Sequence, residues 1–300
     1  MRYLSICSGI EAASVAWSDL NWSAIGFSEI AAFPSAVLAY RFPAVPNFGD
    51  MTTHANWNIE PGAVDLVVGG TPCQSFSVAG LRTGMADPRG NLALTYLALV
   101  DRLRPEWVVW ENVPGVLSSN GGRDFGTFLG AMVELGYGFS YRVLDAQNFG
   151  VSQRRRRVFV VANATDWRRS AAVLFEPESG GRNTAKGETE GEDIASFTPS
   201  SFGNYRQGVG TLTVSGGDLG CGSDTLIVAH DHAHSIRRLT PIECERLQGF
   251  PDDWTAIPYR GKPAADTRRY EALGNSMAVP VMRWIGERID AVDRATKERT

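Results

Sequence analysis

Four groups of residues in this chain are of types and spacings that could do chemistry. The first is Cys73, in "GGTPCQSFSVAG" (Gly69 to Gly80), directly behind the apolar run "VDLVV" (Val64 to Val68). A lone cysteine is most often a small buried hydrophobe. Here glycines and Pro72 precede it and Gln74 and Ser75 follow. A loop with exposed amides and arginines nearby would stabilise a thiolate and make it a nucleophile. The second is Glu111 in "ENVPGV", again behind an apolar run, where a carboxyl can cap a turn or act as an acid. The third is "GVSQRRRRVFVVA", which sets Gln153, Arg155 and Arg157 two residues apart at the entry to a strand. Alternation sends Arg155 and Arg157 to one face and Arg154 and Arg156 to the other. Two arginines on the same face of a core strand are costly unless they meet an acid, a phosphate or a ligand. The fourth is "LGNSMAVPV", in which Asn275 and Ser276 read as a turn capping the N-terminus of a helix.

The elements that must hold these groups follow from periodicity. "RYLSICS", "SAIGFSEI", "VDLVVGG", "PEWVVWENV" and "RRRVFVVA" read as strands, with a further short strand near Pro46 to Asp50. "EAASVAWSDL", "PSAVLAYRF", "NLALTYLALVDRL", "RDFGTFLGAMVELG" and the segment from about Val279 to Val292 read as helices. Strands alternating with helices give a doubly wound, mostly parallel α/β sheet, whose ligands lie outside the carboxyl ends of the strands. Cys73, Glu111 and the Ser8–Gly9 turn would then share one rim. The texture changes after about Thr165. Glu176 to Asp193 is acidic and aperiodic and reads as a flexible loop, while Ser201 to His230 is rich in Gly, Ser and Thr with β-prone pieces "TLTV" and "TLIV". The expected division is therefore residues 1–168 plus 270–300 as one domain and 169–269 as a smaller, irregular, partly β domain.

Composition excludes several classes. The 300 residues hold four cysteines (Cys7, Cys73, Cys221, Cys244), far apart and without a CxxC pair, which argues against a zinc ribbon and a disulfide framework. The absence of a long apolar run argues against a membrane span or signal peptide, so a cytoplasmic monomer with a free thiol is expected. "HDHAH" (His230 to His234) lacks evident further ligands, and no metal is expected. The formal net charge is −4, yet seven arginines fall within residues 142–169 against Asp145 and Asp166. A second basic group, Arg237, Arg238, Arg246, Arg260, Lys262, Arg268 and Arg269, lies between 236 and 270. An acidic chain with such segments can still bind phosphates if they converge on one face.

In this order and spacing, "GGTPCQSFSVAG", "ENVPGV", "QRRRR", "RRLTPIECERLQGFPDDW" and "ALGNSMAVPV" resemble the DNA (cytosine-5)-methyltransferase family of bacterial or phage type, over nearly the full chain. The resemblance implies Cys73 as the nucleophile that adds to cytosine C6 and Glu111 as the partner of ring N3. It also implies Arg157 on cytosine O2 and Arg155 bracing the site and the DNA backbone. The target base would be flipped out of double-stranded DNA, under a loop from Gln74 to Gly80 that includes Ser75 and Ser77. Asn112 and Gln153 join this substrate-facing set. The implied cofactor is S-adenosylmethionine. Its methionine part would lie in the turn of Cys7, Ser8, Gly9, Ile10 and Glu11, its ribose on Glu29 beside Ile30, and its adenine by Asp50 and Met51. Gly70, Pro72, Leu92, Asn275 and Ser276 would complete the pocket. One departure stands out: the family turn commonly runs Gly-x-Gly, whereas this chain has Gly9-Ile10-Glu11. Glu11 could suit the helix dipole or touch the ammonium of the cofactor's amino acid.

In the smaller domain Arg206 and Gln207 could read guanine and adenine edges in the major groove. A separately acting restriction endonuclease is a compatible partner. Three other readings compete. A tRNA cytosine-5 methyltransferase would share the chemistry, although the glycine-rich domain favours DNA. A non-catalytic DNA-binding relative would not need Cys73, Glu111, Gln153, Arg155 and Arg157 together. A cysteine hydrolase would need a histidine base, and the four histidines lie outside every motif.

Overall fold

The computed structural model describes residues 1–72, 92–175, 196–199, 205–207, 226–228 and 236–298, the short strands from 196 to 228 by backbone alone. Cys73, Gln74, Ser75, Ser77, the 176–193 segment, "TLTV", Cys221 and His230 to His234 lie outside the described residues.

Six strands form the main sheet: β1 (Arg2–Ile6), β2 (Ser23–Ser28), β3 (Leu66–Gly69), β4 (Trp107–Asn112), β5 (Gly138–Asp145) and β6 (Arg156–Asn163), in the order β2-β1-β3-β4-β6-β5. β1 to β4 pair in parallel. The helices are α1 (Ala12–Ala16), α2 (Ala32–Arg41), α3 (Leu92–Leu103), α4 (Arg123–Glu134), α5 (Trp167–Leu174), α6 (Pro241–Gln248), α7 (Asp266–Asn275) and α8 (Val279–Lys297). Strand alternation splits the core into two apolar layers. Tyr3, Leu66, Val68, Val109 and Phe159 face α1, α2, α5 and α8, while Leu4, Ile6, Val67, Val108 and Val160 face α3 and α4. Among the described residues no helix is long and apolar enough to cross a membrane.

The mostly parallel α/β sheet expected from the sequence is the one observed, with three local differences. β6 runs antiparallel to both β4 and β5. β5 itself is a sheet edge that the sequence reading passed over, since its polar and apolar residues mix without a clean period of two. Near Pro46 there is a single bridge, Phe27 to Asn47, rather than a strand. The helix-capping role expected of Asn275 and Ser276 also changes: Asn275 ends α7, Ser276 follows it, and α8 starts after Ala278 with no side-chain cap.

A second sheet has the order β10-β9-β7-β8, from β7 (Ser196–Pro199), β8 (Tyr205–Gln207), β9 (Leu226–Val228) and β10 (Ile236–Arg238), all antiparallel. Part of "TLIV" forms β9. The segments around this sheet belong to the main core: Val173, Leu174, Leu239, Cys244, Phe250 and Ile257 pack in the same apolar layer as Trp17 and Leu273. The sequence division at 169 and 269 had assigned these residues to the smaller domain.

The segment before α7 is fixed by a buried charge pair. Glu245 is fully buried and takes the Thr255 backbone N–H at 2.8 Å, and Arg269 Nη2 at 3.1 Å. Arg269 Nε also donates to Thr255 Oγ1 at 2.9 Å. Removing one partner of such a pair leaves a charge with no compensation. Arg269→Met is expected to destabilise the fold by about 3–5 kcal/mol, measured by urea denaturation; a loss within experimental error of zero would contradict this role for the pair.

Candidate active site

Four parallel strands deliver their carboxyl ends to one rim: Cys7 follows β1, Glu29 follows β2, Gly70 follows β3, and β4 closes on Glu111 and Asn112. The reversal of β6 brings its N-terminal end to the same rim, where Asn112 pairs with Val158 and Glu111 with Phe159. Arg155 and Arg157 therefore arrive beside Glu111, where a parallel strand would have carried them to the far edge of the sheet. As alternation predicted, Arg155 and Arg157 point inward while Arg154 and Arg156 are exposed.

Arg157 Nε lies 3.1 Å from Glu111 Oε1, with side chains only 16% and 12% exposed. The contact is an ion pair whose N–H is not aimed at the oxygen, so Oε1 has no hydrogen-bond partner among the described residues. Arg155 donates its backbone N–H to Asp145 Oδ1 at 3.1 Å and Nη1 to the Gly274 carbonyl at 3.1 Å. Burial pushes the Glu111 carboxyl above its ordinary value, against the pull of Arg155 and Arg157 toward the charged form. Burial, then the like charge of Arg157, pushes Arg155 down to about 9, and the charge of Glu111 works against both. Glu111 is thus a carboxyl biased toward holding a proton, with a cation on hand when the proton leaves.

Gly70 explains how the carboxyl fits. A Cβ at this position would lie 2.8 Å from Glu111 Oε2, closer than any side chain allows. Asn112 is buried, donates to the Thr71 carbonyl at 2.9 Å and accepts from Val113 N–H at 2.8 Å. Trp110 Nε1 donates to Thr71 Oγ1 at 3.0 Å. Together they tie β4 to Thr71, two positions before Cys73. Asn112, placed by the sequence among substrate-facing residues, turns its amide to the protein.

A cavity of about 430 Å³ opens at this rim. Of the residues singled out in the sequence, it brings together Cys7, Gly9, Glu29, Ile30, Asp50, Met51, Gly70, Pro72, Leu92, Glu111, Asn112, Arg155, Arg157 and Asn275. Ser8, Glu11 and Ser276 line a recess of about 30 Å³ next to it. Ile10 lies in the apolar core, and Gln153 is enclosed with both amide atoms unpartnered among the described residues. Arg206 and Gln207 are on β8, opposite Thr198 and Phe197. The sequence reading did not single out Ser28, Ala31, Pro34, Gly49, Thr71, Ala272 and Gly274 as site residues. Thr71 and Gly274 lie inside quoted motifs, and Ser28 donates its hydroxyl to the Gly49 carbonyl at 2.7 Å.

The walls suit S-adenosylmethionine. Glu29 accepts from Gly9 N–H at 2.8 Å and from Ala31 N–H at 2.7 Å, which fixes an acceptor at the mouth, and Ile30 beside it is 76% exposed. Asp50 accepts from Thr52 N–H at 2.9 Å, and Met51 Sδ lies 3.7 Å from Cys7 Sγ. The Cys7 thiol is pushed up to about 12 by burial and then by the charge of Glu29, so it is no rival nucleophile at neutral pH. Gly9 and Glu11 both have positive φ, +57° and +65°. Trp254, at the end of "RRLTPIECERLQGFPDDW", donates Nε1 to the Ile10 carbonyl at 2.9 Å and holds the turn from outside. Burial pushes Glu11 up to about 7, with the hydroxyls of Ser5 and Ser14 and the Ser14 amide working the other way.

The sequence profile of C-5 cytosine-specific DNA methylases matches residues 1–201 and 178–291. The chain belongs to this family. Among curated relatives, a DNA N-6-adenine-methyltransferase of Escherichia phage P1 is 34% identical over 96% of this chain, which spans 61% of that protein's length. Type II methyltransferase M2.BsuMI of Bacillus subtilis (strain 168) is 30% identical over 96% of this chain and 75% of its own. The fold resembles S. pombe Dnmt2 methyltransferase, with a TM-score of 0.69 at 19% identity over 99% of both chains. It also resembles Entamoeba histolytica EhMeth, with a TM-score of 0.64 at 16% identity over 96% of this chain and 97% of that one. Against the pattern of C-5 cytosine methylases, Glu11 takes a left-handed conformation that glycine would adopt without strain.

Replacing Arg157 by Met keeps apolar bulk over Glu111 and removes a cation. The expected result is a further rise of the Glu111 pKa, read by infrared or carbon-13 titration of the carboxyl; an unchanged or lower value would contradict the pairing.

Proposed function

We propose that this protein transfers a methyl group from S-adenosylmethionine to C5 of cytosine in double-stranded DNA, with Cys73 as the covalent nucleophile. One observation carries the reading: the carboxyl of Glu111, biased toward its protonated form and paired with Arg157, opens into the same cavity as Glu29, Met51 and Pro72, the residue before Cys73.

Cytosine C5 is a poor nucleophile until electrons are pushed into the ring. The Cys73 thiolate adds to C6 while Glu111 gives its proton to N3, so the ring becomes an enamine without accumulating negative charge. Arg157 fits the cytosine O2, where its charge also steadies Glu111 once the proton has left. The methylsulfonium of the cofactor supplies an electrophilic methyl group to C5. Water takes the C5 proton, its electron pair forms the C5–C6 double bond as the C6–S bond breaks and Cys73 leaves as thiolate, and N3 returns its proton to Glu111. The base must leave the duplex to reach this rim. Cys7, Gly9, Glu29, Met51, Leu92 and Asn275 are the residues that would hold the cofactor.

The unit that reads the DNA is proposed to be the small four-stranded sheet, with Arg206 and Gln207 on β8 as candidate base contacts. Its neighbours 239–257 pack into the main core, which supports a reader narrower than residues 169–269.

Purified protein incubated with labelled S-adenosylmethionine and either duplex DNA or tRNA, followed by mass spectrometry of nucleosides, tests the reading. Label is expected in 5-methylcytosine from DNA. N6-methyladenine, the product suggested by the name of the phage P1 relative, or label confined to tRNA would overturn it. Cys73→Ser is expected to abolish turnover and keep DNA binding in a gel-shift assay.

A further inference from the structure

Glu11 presents a problem of charge. Its side chain is fully buried. Oε1 accepts from the backbone N–H and the hydroxyl of Ser14, both at 3.0 Å, and so caps α1. Oε2 is buried with no hydrogen-bond partner among the described residues, although the Ser5 hydroxyl stands near enough to relieve part of the burial. A buried carboxylate oxygen without a partner is costly unless a cation or a proton meets it.

Among the described residues, the recess that Glu11 lines has two carboxyls in its walls, Glu11 and Glu111, and neither lysine nor arginine. With about 30 Å³ it admits a single ammonium-sized or water-sized group. It adjoins the main cavity through shared walls at Cys7, Gly9, Gly70, Glu111 and Asn275. At neutral pH a proton meets this demand only in part, and a cationic group of whatever fills the adjoining main cavity would meet it fully. On the reading given above, that ligand carries two cationic centres. The methylsulfonium would be spent at cytosine C5, which leaves the ammonium of the amino-acid end.

We propose that Glu11 Oε2 is the acceptor for the ammonium group of S-adenosylmethionine, so that one carboxyl caps α1 with one oxygen and fixes the cofactor with the other. This inference rests on the proposed cofactor. The residue departs from the Gly-x-Gly pattern, and its φ of +65° is the strain accepted to place an acid there. An arriving ammonium favours the charged carboxyl, opposite to the effect of burial.

Calorimetric titration of the full chain with three ligands tests it: S-adenosylmethionine, S-adenosylhomocysteine (no sulfonium) and des-amino S-adenosylhomocysteine (no ammonium). Glu11→Gln keeps an acceptor for Ser14 and removes the charge; Glu11→Gly removes the carboxyl at a φ glycine tolerates. Both variants are expected to bind S-adenosylhomocysteine about tenfold or more weakly than the wild type, and to bind the des-amino ligand as the wild type does. Equal losses for both homocysteine ligands would mean a helix cap alone and overturn the inference. So would unchanged binding, or a loss confined to S-adenosylmethionine, which would point to the sulfonium. Wild-type protein that binds none of the three would overturn the cofactor reading, and this inference with it.

Discussion

The pairing of a buried carboxyl with inward-facing guanidinium groups, at the point where four parallel strands end, is the constraint on which the rest of the rim depends. Glu111 and Arg157 meet at 3.1 Å in a place with little solvent, and Arg155 stands behind them, tied to Asp145 and Gly274. None of the three is comfortable there alone, because each would be a desolvated charge without a partner. Together they hold a net positive charge and a movable proton, which suits a ring that must gain electrons and a proton in concert. The neighbouring backbone leaves room for them: a Cβ at Gly70 would come within 2.8 Å of Glu111 Oε2. Asn112 and Trp110 clamp Thr71, so the chain leaves β3 toward Cys73 along a fixed path.

The cofactor side of the cavity is built by a different device. The turn after β1 has no regular structure to support it, so it is held by side chains from distant sequence. Glu29 takes the Gly9 N–H, Trp254 donates to the Ile10 carbonyl, and Arg41 Nε binds the Trp254 carbonyl at 3.0 Å. The segment from 239 to 257 thus serves the main fold: it packs in the sheet's own apolar layer and locks the turn.

Much of this was legible in the sequence because chemistry concentrates at strand ends. Apolar runs of five or six residues marked β3, β4 and β6, and Cys73, Glu111 and the Gly9 turn each followed one. The inward pair Arg155 and Arg157 was legible from alternation alone. The direction of β6 was not, because an isolated strand has the same pattern whether it pairs in parallel or antiparallel. Only long-range pairing decides it, and the whole site depends on the answer. β5 was missed for a related reason: as an edge strand it keeps Tyr141 and Arg142 exposed and loses the clean alternation of a half-buried strand. The cap expected of Asn275 and Ser276 was not found, since a Gly-Asn-Ser turn closes one helix as readily as it opens the next. The 169–269 boundary followed composition, which cannot register that Phe250 and Ile257 pack beside Trp17.

The account stands on a thiol at residue 73 working against the carboxyl at residue 111 across a cytosine ring. The most direct measurement is capture of that bond with duplex DNA carrying 5-fluorocytosine at the target position, in the presence of S-adenosylmethionine. Fluorine cannot leave C5 as the proton does, so the sulfur should remain attached. The expected result is a protein–DNA adduct stable to denaturant, with the modified peptide mapping to Cys73 and adduct formation strongly slowed in Glu111→Gln. Methylation of ordinary cytosine by the same preparation without any trapped adduct, or an adduct on another cysteine, would contradict the account.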